Sequence, residues 1–445
     1  MKLKLLYTIA AVALCATASA ADGTTEREGR SLTLDECHKM ALEQNRSIAS
    51  AQWLKEQKGY DLKAMRANFM PNVALSSFGL FSTASGEVAT ASPAFPIIDF
   101  NVHQLFNAGL SVTQPLYMGG KVATGYRMAK IGVEMAAKNL LLTEQEVIVK
   151  VDEAYSMLLK AKELLEVAKA YEALLAELEK NVASAVKHGV RTRNDLLKVK
   201  VKLNQARLSI TRANNGYSIA RMNLCRELGL PLESNISVEQ MQVNEELRRE
   251  VMESGGGDLS QRADYALLQQ KRALAKERVR LVKSDYLPQL AAFANGGYMY
   301  GGKLALEPGL YNSKIVKDFN AMGGLTLSIP ITHFGERRGK IKSAKAELQM
   351  ATLECDEKED LMRLELAQAH NTLVEQLASF DIALIAVEQA NENVRLSKSA
   401  FDNGVETLSN LLEAQAMWQS ARAEEVEARA ALFVSLSRWR KAAGR

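Results

Sequence analysis

The chain has 445 residues, of which 47% are hydrophobic and 24% charged, and its formal net charge is +4 at pH 7. A charge this close to balance gives no reason to expect nucleic acid as a partner. Of the four cysteines, Cys37, Cys225 and Cys355 are widely spaced with no C-x-x-C motif, so they do not form a disulfide framework. We expect them to be small apolar residues packed on helices, the alternative being a Cys37–Cys225 bridge.

Residues 1–20 have the layout of a cleavable secretory signal. Two lysines precede an apolar run over residues 5–14, and the small residues at 18–20 resemble a cleavage site. Cys15 raises lipidation as an alternative, but Leu14 stands where a lipobox normally has a small residue. We therefore predict cleavage after the small residues and a mature chain outside the cytoplasm.

The opening segment of the mature chain predicts a helix with its own cap. Thr33 can accept a hydrogen bond from the first turn, and Glu36 three residues later can return it, which is the capping-box arrangement.

Each half of the chain predicts one β-hairpin. Residues 324–331 alternate strictly between Leu or Ile and small or polar residues, as in a strand between lipid and water, and residues 109–116 alternate likewise. Further strands are predicted over 72–81 and 289–300. Beyond the signal no stretch of 18 apolar residues occurs, so we expect only strands closed into a barrel to cross a membrane.

The predicted hairpin connections, 82–104 and 301–322, are long and rich in Gly, Ser, Ala and Pro, which is typical of outward-facing loops of outer-membrane barrels. Pro115 and Pro330 are expected to mark where strand pairing stops, because proline has no N–H to donate. Aromatic side chains near the strand ends predict interface girdles. They are Phe78, Phe81, Phe106, Tyr117, Tyr298 and Tyr300.

Stretches without Gly or Pro, at 133–188, 340–403 and 405–443, predict long helices. At ~1.5 Å per residue, the second of them would extend roughly 95 Å. In the first, apolar residues step by four and three in turn with one phase slip, which is coiled-coil spacing. We expect helices packed along an apolar seam, with their charged residues in solvent.

The two halves of the chain repeat each other. Pro115 recurs as Pro330, an offset of 215 residues that also relates the other shared positions. So long a period indicates a duplicated unit and not a short-repeat solenoid. We predict repeats over 31–229 and 258–444, each running helix, β-hairpin, long helix, tip and helix, separated by an exposed linker at 230–257 that ends in three glycines.

One motif in each half predicts a tight reversal between two helices. Its residues are Gly189, Val190 and Thr192 in the first half and Gly404, Val405 and Thr407 in the second. The glycine can take the left-handed conformation that ends one helix, and the threonine can cap the next. Each motif alone is an ordinary αα-hairpin, but two at the ends of long predicted helices should lie at the same far end.

This tandem layout resembles the TolC-like outer-membrane efflux proteins over essentially the whole mature length. Residues 32–36 with Ala41, Leu42 and Asn45 resemble the opening helix of that family, and the two reversal motifs resemble its hairpin tips. The resemblance implies an all-α coiled-coil bundle plus a membrane β-barrel. In a homotrimer, four strands per chain would form a 12-stranded barrel, and the helices would form a 12-helix periplasmic tunnel.

The strand count supports a trimer independently. Four strands cannot close a barrel, and an open sheet edge cannot be left in hydrocarbon, so several chains must pool their strands. Two chains would give eight strands with a lumen filled by side chains, whereas three would give twelve and leave room for a pore.

The functional implication is an outer-membrane exit duct of a tripartite export system that passes small toxic compounds. Its tips would meet a periplasmic adaptor, and an inner-membrane pump would drive it. Two alternatives stay open: the outer-membrane channel of an ATP-driven (type I) protein secretion system, and a non-conducting, envelope-spanning structural rod.

The chain departs from the family's pattern at the periplasmic aperture. Family members often ring it with two acidic residues on the helix after the second tip, where this chain has Asn410 and Glu413. We therefore predict a single carboxylate ring, formed by Glu413.

The links that hold the family's aperture shut often use an Arg after the second tip glycine and a Tyr before it. Here those positions are Glu406 and Phe401, although Asp195 matches the pattern. We expect closure to use other pairs, such as Glu406 with Arg191 or Arg193.

Signatures of an enzyme are missing from the sequence. The five histidines have no metal-ligand spacing, no G-x-S-x-G occurs, and residues 119–121 (Gly-Gly-Lys) lack the upstream glycine of a phosphate loop. We expect neither catalysis nor a metal or cofactor.

Overall fold

The computed structural model describes residues 31–81, 85–89, 97–253, 257–306, 315–332 and 334–445. The predicted signal at 1–20, with Cys15, lies outside these residues, as do parts of the predicted hairpin connections. The helices are α1 (Leu34–Gln44), α2 (Arg46–Ala67), α3 (Lys121–Lys187), α4 (Arg193–Glu227), α5 (Glu245–Met252), α6 (Ala263–Ser284), α7 (Glu336–Asp402) and α8 (Leu408–Ala443). The strands are β1 (Ser31–Leu32), β2 (Asn72–Phe81), β3 (Ser85–Ala89), β4 (Ile97–Met118), β5 (Ser237–Val238), β6 (Gln289–Leu306) and β7 (Ile315–Ser328).

The chain divides into two compact units that each draw on both predicted repeats. Unit 1 comprises the residues up to Ala41, Glu153–Gln242 and Ala390–Val426. Unit 2 comprises Leu42–Asp152, Val243–Gln389 and Glu427–Arg445. The two sequence repeats do not coincide with these units, and the boundaries of the repeats stay predictions.

Unit 1 is built on the apolar seam that the sequence predicts. The buried cluster takes Tyr171, Leu175, Leu178 and Val182 from α3, Val199, Leu203 and Ala206 from α4, Phe401 from α7 and Leu408, Leu411 and Leu412 from α8. The α3 members follow the predicted steps of four and three residues, so these helices pack through one stripe of each surface. The predicted long helices are confirmed, and α3 and α7 begin earlier than the Gly-free stretches do.

A capping box and a buried tyrosine fix the start of the chain in unit 1. The Glu36 N–H donates to Thr33 Oγ1 at 3.2 Å, and the Thr33 N–H donates to Glu36 Oε2 at 3.1 Å, as predicted. Strand β1 pairs in parallel with β5. The hydroxyl of Tyr155, on α3, lies 3.1 Å from the carbonyl oxygen of Leu32 and 2.9 Å from that of Glu239, so it holds both strands. Burial raises the pKa of Tyr155 to about 12.

Unit 2 contains an antiparallel sheet of strand order β2-β4-β6-β7, with β3 also pairing with β4. The bounds of β2 match the prediction. The other strands are longer than predicted, because β4, β6 and β7 extend into the stretches 82–104 and 301–322. The prediction that these stretches are connecting loops is therefore wrong over the described residues, which form strands. Leu325 and Leu327 on one face of β7 are exposed, as are Thr326 and Ser328 on the other, and the lipid-facing role of the leucines stays a prediction.

Pro115 does not end strand pairing, contrary to the prediction. The pairing of β2 with β4 stops at Asn72 and Thr113, so beyond that point β6 is the one strand among the described residues that pairs with β4. Pro115 lies opposite Ala291 in this one-sided stretch, and a register shift follows it, so the missing N–H is tolerated. Pro330 behaves as predicted, since β7 ends at Ser328.

The predicted linker at 230–257 is partly folded, but most of its described residues are exposed or half-buried, and its role as a linker between the repeats stays a prediction. It contains β5 and α5, and Val238 and Val251 are buried. Val251 packs in the cluster of unit 2 with Leu373, Leu377, Phe380, Leu432, Leu436, Trp439 and Ala443. Arg248, also on α5, forms a bidentate ion pair with Asp381 on α7.

The three cysteines beyond the signal are buried, and none of them forms a disulfide, so the alternative Cys37–Cys225 bridge is wrong. The thiol of Cys225 donates to the carbonyl oxygen of Ser234 at 3.7 Å, and that of Cys355 to the carbonyl oxygen of Leu268 at 3.4 Å. Burial raises the pKa of the Cys225 thiol.

Across the described residues, no helix combines the length and the apolar composition that a membrane span requires.

Candidate functional site: the two helix-hairpin tips

The first tip reverses the chain between α3 and α4. Gly189 has φ +76°, its N–H donates to the Val186 carbonyl oxygen at 3.0 Å, and the Val190 N–H donates to that of Ala185 at 2.9 Å. Thr192 then caps α4, because its Oγ1 accepts from the Asp195 N–H at 3.2 Å while Asp195 returns a bond to the Thr192 N–H.

The second tip repeats this geometry between α7 and α8. Gly404 has φ +73°, and its N–H donates to the Phe401 carbonyl oxygen at 3.0 Å. The Val405 N–H donates to the carbonyl oxygen of Ala400 at 2.9 Å. Thr407 Oγ1 accepts from the Asn410 N–H at 3.3 Å. In both motifs, therefore, the glycine takes the predicted left-handed conformation that ends one helix, and the threonine caps the next helix as predicted.

The tips lie together and present apolar side chains to solvent. The guanidinium of Arg191, in the first tip, lies 4.4 Å from the centre of the Phe401 ring, in the last turn before the second tip. Val190 and Val405 are 74% and 83% exposed. The helices on either side of each tip also contribute residues to the same buried cluster of unit 1. Two matching turns thus display one valine each at one end of the unit.

The electrostatics of the first tip centre on its cap. The Thr192 hydroxyl donates to Asp195 Oδ2 at 2.8 Å, and this bond holds the pKa of Asp195 below its ordinary value. Asp195 is therefore committed to the cap. Within one chain's described residues, no ion pair joins Glu406 to Arg191 or Arg193, so closure through those residues stays a prediction.

A groove of about 610 Å³ runs beside the tips between α4 and α8. Glu413 lines it from α8, and Lys198 and Lys202 line it from α4. The apolar part of its wall is formed by Leu197, Val201, Leu412 and Ala416. Sequence reasoning selected Glu413 but missed the two lysines. Their spacing of four residues, which places both on one helix face, was the signal that could have found them.

The other predicted aperture residues are less central to this groove. Asn410 is exposed, and its backbone N–H completes the Thr407 cap. Glu406 is half-buried in the second tip. In the part of the chain that the structure describes, no group of three or more His, Cys, Asp or Glu side chains could hold a metal ion.

A family model described as "Outer membrane efflux protein" matches residues 38–230 and 259–445. The alkaline protease secretion protein AprF of Pseudomonas aeruginosa is 24% identical over 338 residues, which cover 75% of this chain and 69% of AprF. The outer membrane protein VceC of Vibrio cholerae superposes with a TM-score of 0.74 at 16% identity, covering 92% of this chain and 96% of VceC. The CmeC outer membrane channel of Campylobacter jejuni gives a TM-score of 0.74 at 18% identity, covering 92% of this chain and 85% of CmeC.

Proposed function

Because the chain belongs to the outer membrane efflux protein family, which resides in the outer membrane and extends into the periplasm, we propose that it is the exit duct of a tripartite export system. The geometry of the two tips is the main observation that supports this proposal. Two tandem turns keep the same glycine and threonine geometry, and each exposes a valine, although neither valine contributes to the buried core. Such a matched apolar pair fits a recurring contact with a second protein.

The partner that fits this surface is a periplasmic adaptor that couples the duct to an inner-membrane transporter. Gly189, Val190, Thr192, Gly404, Val405 and Thr407 form the docking tips in this proposal. The duct has no energy source of its own, so the driving force comes from the transporter. A passive channel is also what family membership supports, in preference to an enzyme.

A homotrimer is the assembly that the sheet supports. Strands β2 and β7 are the two outer strands of the four-stranded path, and each has one side without a partner strand among the described residues. Three chains joined edge to edge would place twelve strands in one closed barrel and satisfy those backbone groups. In this arrangement Glu413 recurs three times around the periplasmic aperture.

Small toxic compounds are the substrate class that we propose first. A second candidate, an exported protein, is favoured by one observation, the similarity to a protein named for alkaline protease secretion. The two substrate classes predict different phenotypes when the protein is inactivated. Loss of small-compound export raises drug susceptibility, whereas loss of protein secretion leaves susceptibility unchanged and retains a protein inside the cell.

The experiment combines conductance with a deletion strain. Purified protein in a planar bilayer should give ion-conducting channels, and the absence of conductance would favour a structural rod. A deletion strain should become more susceptible to small toxic compounds and recover when the gene is restored. Unchanged susceptibility together with a missing secreted protein would decide for the second candidate.

A further inference from the structure

The helix ends nearest the sheet of unit 2 are strongly basic. The last ten residues of α2 and α6 and the first ten of α3 and α7 contain fifteen Lys or Arg and three Asp or Glu. We call this surface the basic collar. The helix ends that adjoin the tips contain eight Lys or Arg and four Asp or Glu in equal windows, so the excess is specific to the sheet end.

Contacts between the four helix ends make the collar one surface. The guanidinium of Arg337, at the start of α7, lies 6.0 Å from the centre of the Tyr286 ring, just after α6. Lys121 Nζ lies 2.8 Å from Asp285 Oδ1, which joins the start of α3 to the end of α6. The rings of Phe69 and Tyr126 meet edge to face at 6.0 Å, which joins α3 to the end of α2. Gln114, on β4, donates to the Phe69 carbonyl oxygen at 3.0 Å, so the collar directly adjoins the sheet.

Ion pairs that stabilise the folded chain do not account for the positive charge of the collar. Ten of its fifteen cations make no ion pair with any described residue, and all ten are exposed. Three of the fifteen, Lys121, Arg337 and Arg338, stand in the first turns of α3 and α7, where the helix dipole favours anions and disfavours cations. Among the described residues Arg337 and Arg338 make no ion pair, so the binding of an external anion there would be favourable.

An exposed apolar segment lies between the sheet and the collar. Ile331 and Phe334, in the connection from β7 to α7, are 92% and 97% exposed. Phe334 has φ +43° and is the only non-glycine residue with positive φ among the described residues. Bulky side chains rarely adopt this conformation, and here it precedes Gly335, so the turn displays an aromatic ring three residues before Arg337. Aromatic residues followed by cations are typical of a membrane interface.

We propose that the basic collar binds the headgroups of anionic phospholipids in the periplasmic leaflet of the outer membrane, with Ile331 and Phe334 in the acyl region beside them. The inference rests on the proposal that the sheet lies in the membrane. Charge complementarity selects the occupant, because clustered Lys and Arg next to a membrane segment attract anionic headgroups. The long side chains of the collar can reach the headgroup layer while their stems cover apolar surface.

The experiment is a lipid competition on the full mature protein in non-ionic detergent. Phosphatidylglycerol and phosphatidylcholine with the same acyl chains are added in equal amounts, and native mass spectrometry counts the lipids that stay bound. We expect about tenfold more phosphatidylglycerol than phosphatidylcholine, with a preference that falls as ionic strength rises.

Matched variants locate the site. R337Q/R338Q/K342Q should lose about fivefold of the phosphatidylglycerol preference. K198Q/K202Q/R212Q removes three exposed, unpaired cations from α4 and should keep the preference within about twofold.

Three results would overturn the proposal: equal binding of the two lipids by the unaltered protein, an equal loss in the control variant, or displacement of the lipid by soluble glycerol phosphate at the same concentration. The comparison on the unaltered protein does not depend on how well a variant folds. Conductance is measured separately, so a protein that conducts without lipid preference contradicts the collar alone, and one that prefers the anionic lipid without conducting contradicts the duct alone.

Discussion

At the scale of single residues, Tyr155 shows how one hydroxyl can join distant stretches of chain. Its oxygen lies within hydrogen-bonding distance of the carbonyl of Leu32, the last residue of β1, and of Glu239, just after β5, each more than 80 residues away in sequence. The side chain is buried, so no water replaces those contacts if the hydroxyl is removed.

We expect Tyr155→Phe to lower the free energy of unfolding by about 1–3 kcal/mol, because it leaves buried carbonyl oxygens with fewer donors. Thermal unfolding followed by circular dichroism measures the change. Tyr171→Phe is the matched control, since Tyr171 is buried on the same helix and its hydroxyl makes no hydrogen bond with the described residues. The control should change stability by about 0.5 kcal/mol or less. Equal effects would show that the hydrogen bonds of the Tyr155 hydroxyl contribute no stability of their own.

Glu413 is the residue whose charge should matter for conduction. In the proposed trimer, three copies at roughly 8 Å would repel by about 2 kcal/mol per pair at an effective dielectric of ~20. Lys198 and Lys202 line the same groove and offset part of this repulsion. We expect Glu413→Gln to lower cation preference and weaken block by trivalent cations in single-channel recordings.

The control for Glu413 is Glu424→Gln, an exposed carboxylate farther along α8 that should alter neither quantity. Glu425 is unsuitable because it is buried and lies 3.4 Å from Arg422. If the two variants behave alike, Glu413 is an ordinary solvated side chain and the predicted carboxylate ring does not form.

At the scale of elements, the tips need glycine because of their backbone conformation, and not because a side chain would lack space. A Cβ built at Gly189 or Gly404 would meet no atom within 4 Å, yet both residues have positive φ. A β-branched side chain at either position therefore distorts the turn without a clash elsewhere.

We expect the double variant Gly189→Ile, Gly404→Ile to abolish export while leaving assembly and membrane insertion intact. Export is measured by complementation of a deletion strain, and insertion by membrane fractionation. Gly216→Ile is the matched control, since Gly216 lies inside α4 with open space around it and without positive φ. Full export by the double variant would show that the tips are not the docking surface.

Local patterns were sufficient to predict the long helices, the caps at Thr33 and Thr192, and β2, because each depends on residues a few positions apart. Features that depend on distant neighbours were predicted poorly. Pro115 remains in β4 because β2 has already ended there, and Val251 is buried because Trp439 and other residues from the end of the chain cover it. The lysines of the groove by Glu413 belong to the same class, since α4 and α8 meet only in the folded chain.

At the scale of the whole molecule, the open sheet calls for other chains. We expect cross-linking of detergent-extracted protein to give a three-chain species, because β2 and β7 each leave one edge to be paired. Denaturing electrophoresis after a lysine-reactive cross-linker measures this. The same reagent applied after unfolding in detergent should give single chains only. A single-chain species from the native protein would contradict the proposed assembly.

Unit 1 is assembled from distant segments of the chain, so its core can form only late in biogenesis. Its cluster needs α3 and α4 from the middle of the chain together with Leu408, Leu411 and Leu412 near its end. The apolar stripes of α3 and α4 therefore reach the periplasm well before the residues that cover them. Contacts this distant in sequence form slowly, and exposed stripes invite aggregation in the meantime. We therefore expect the exported chain to be prone to aggregation until its last helix has crossed the inner membrane.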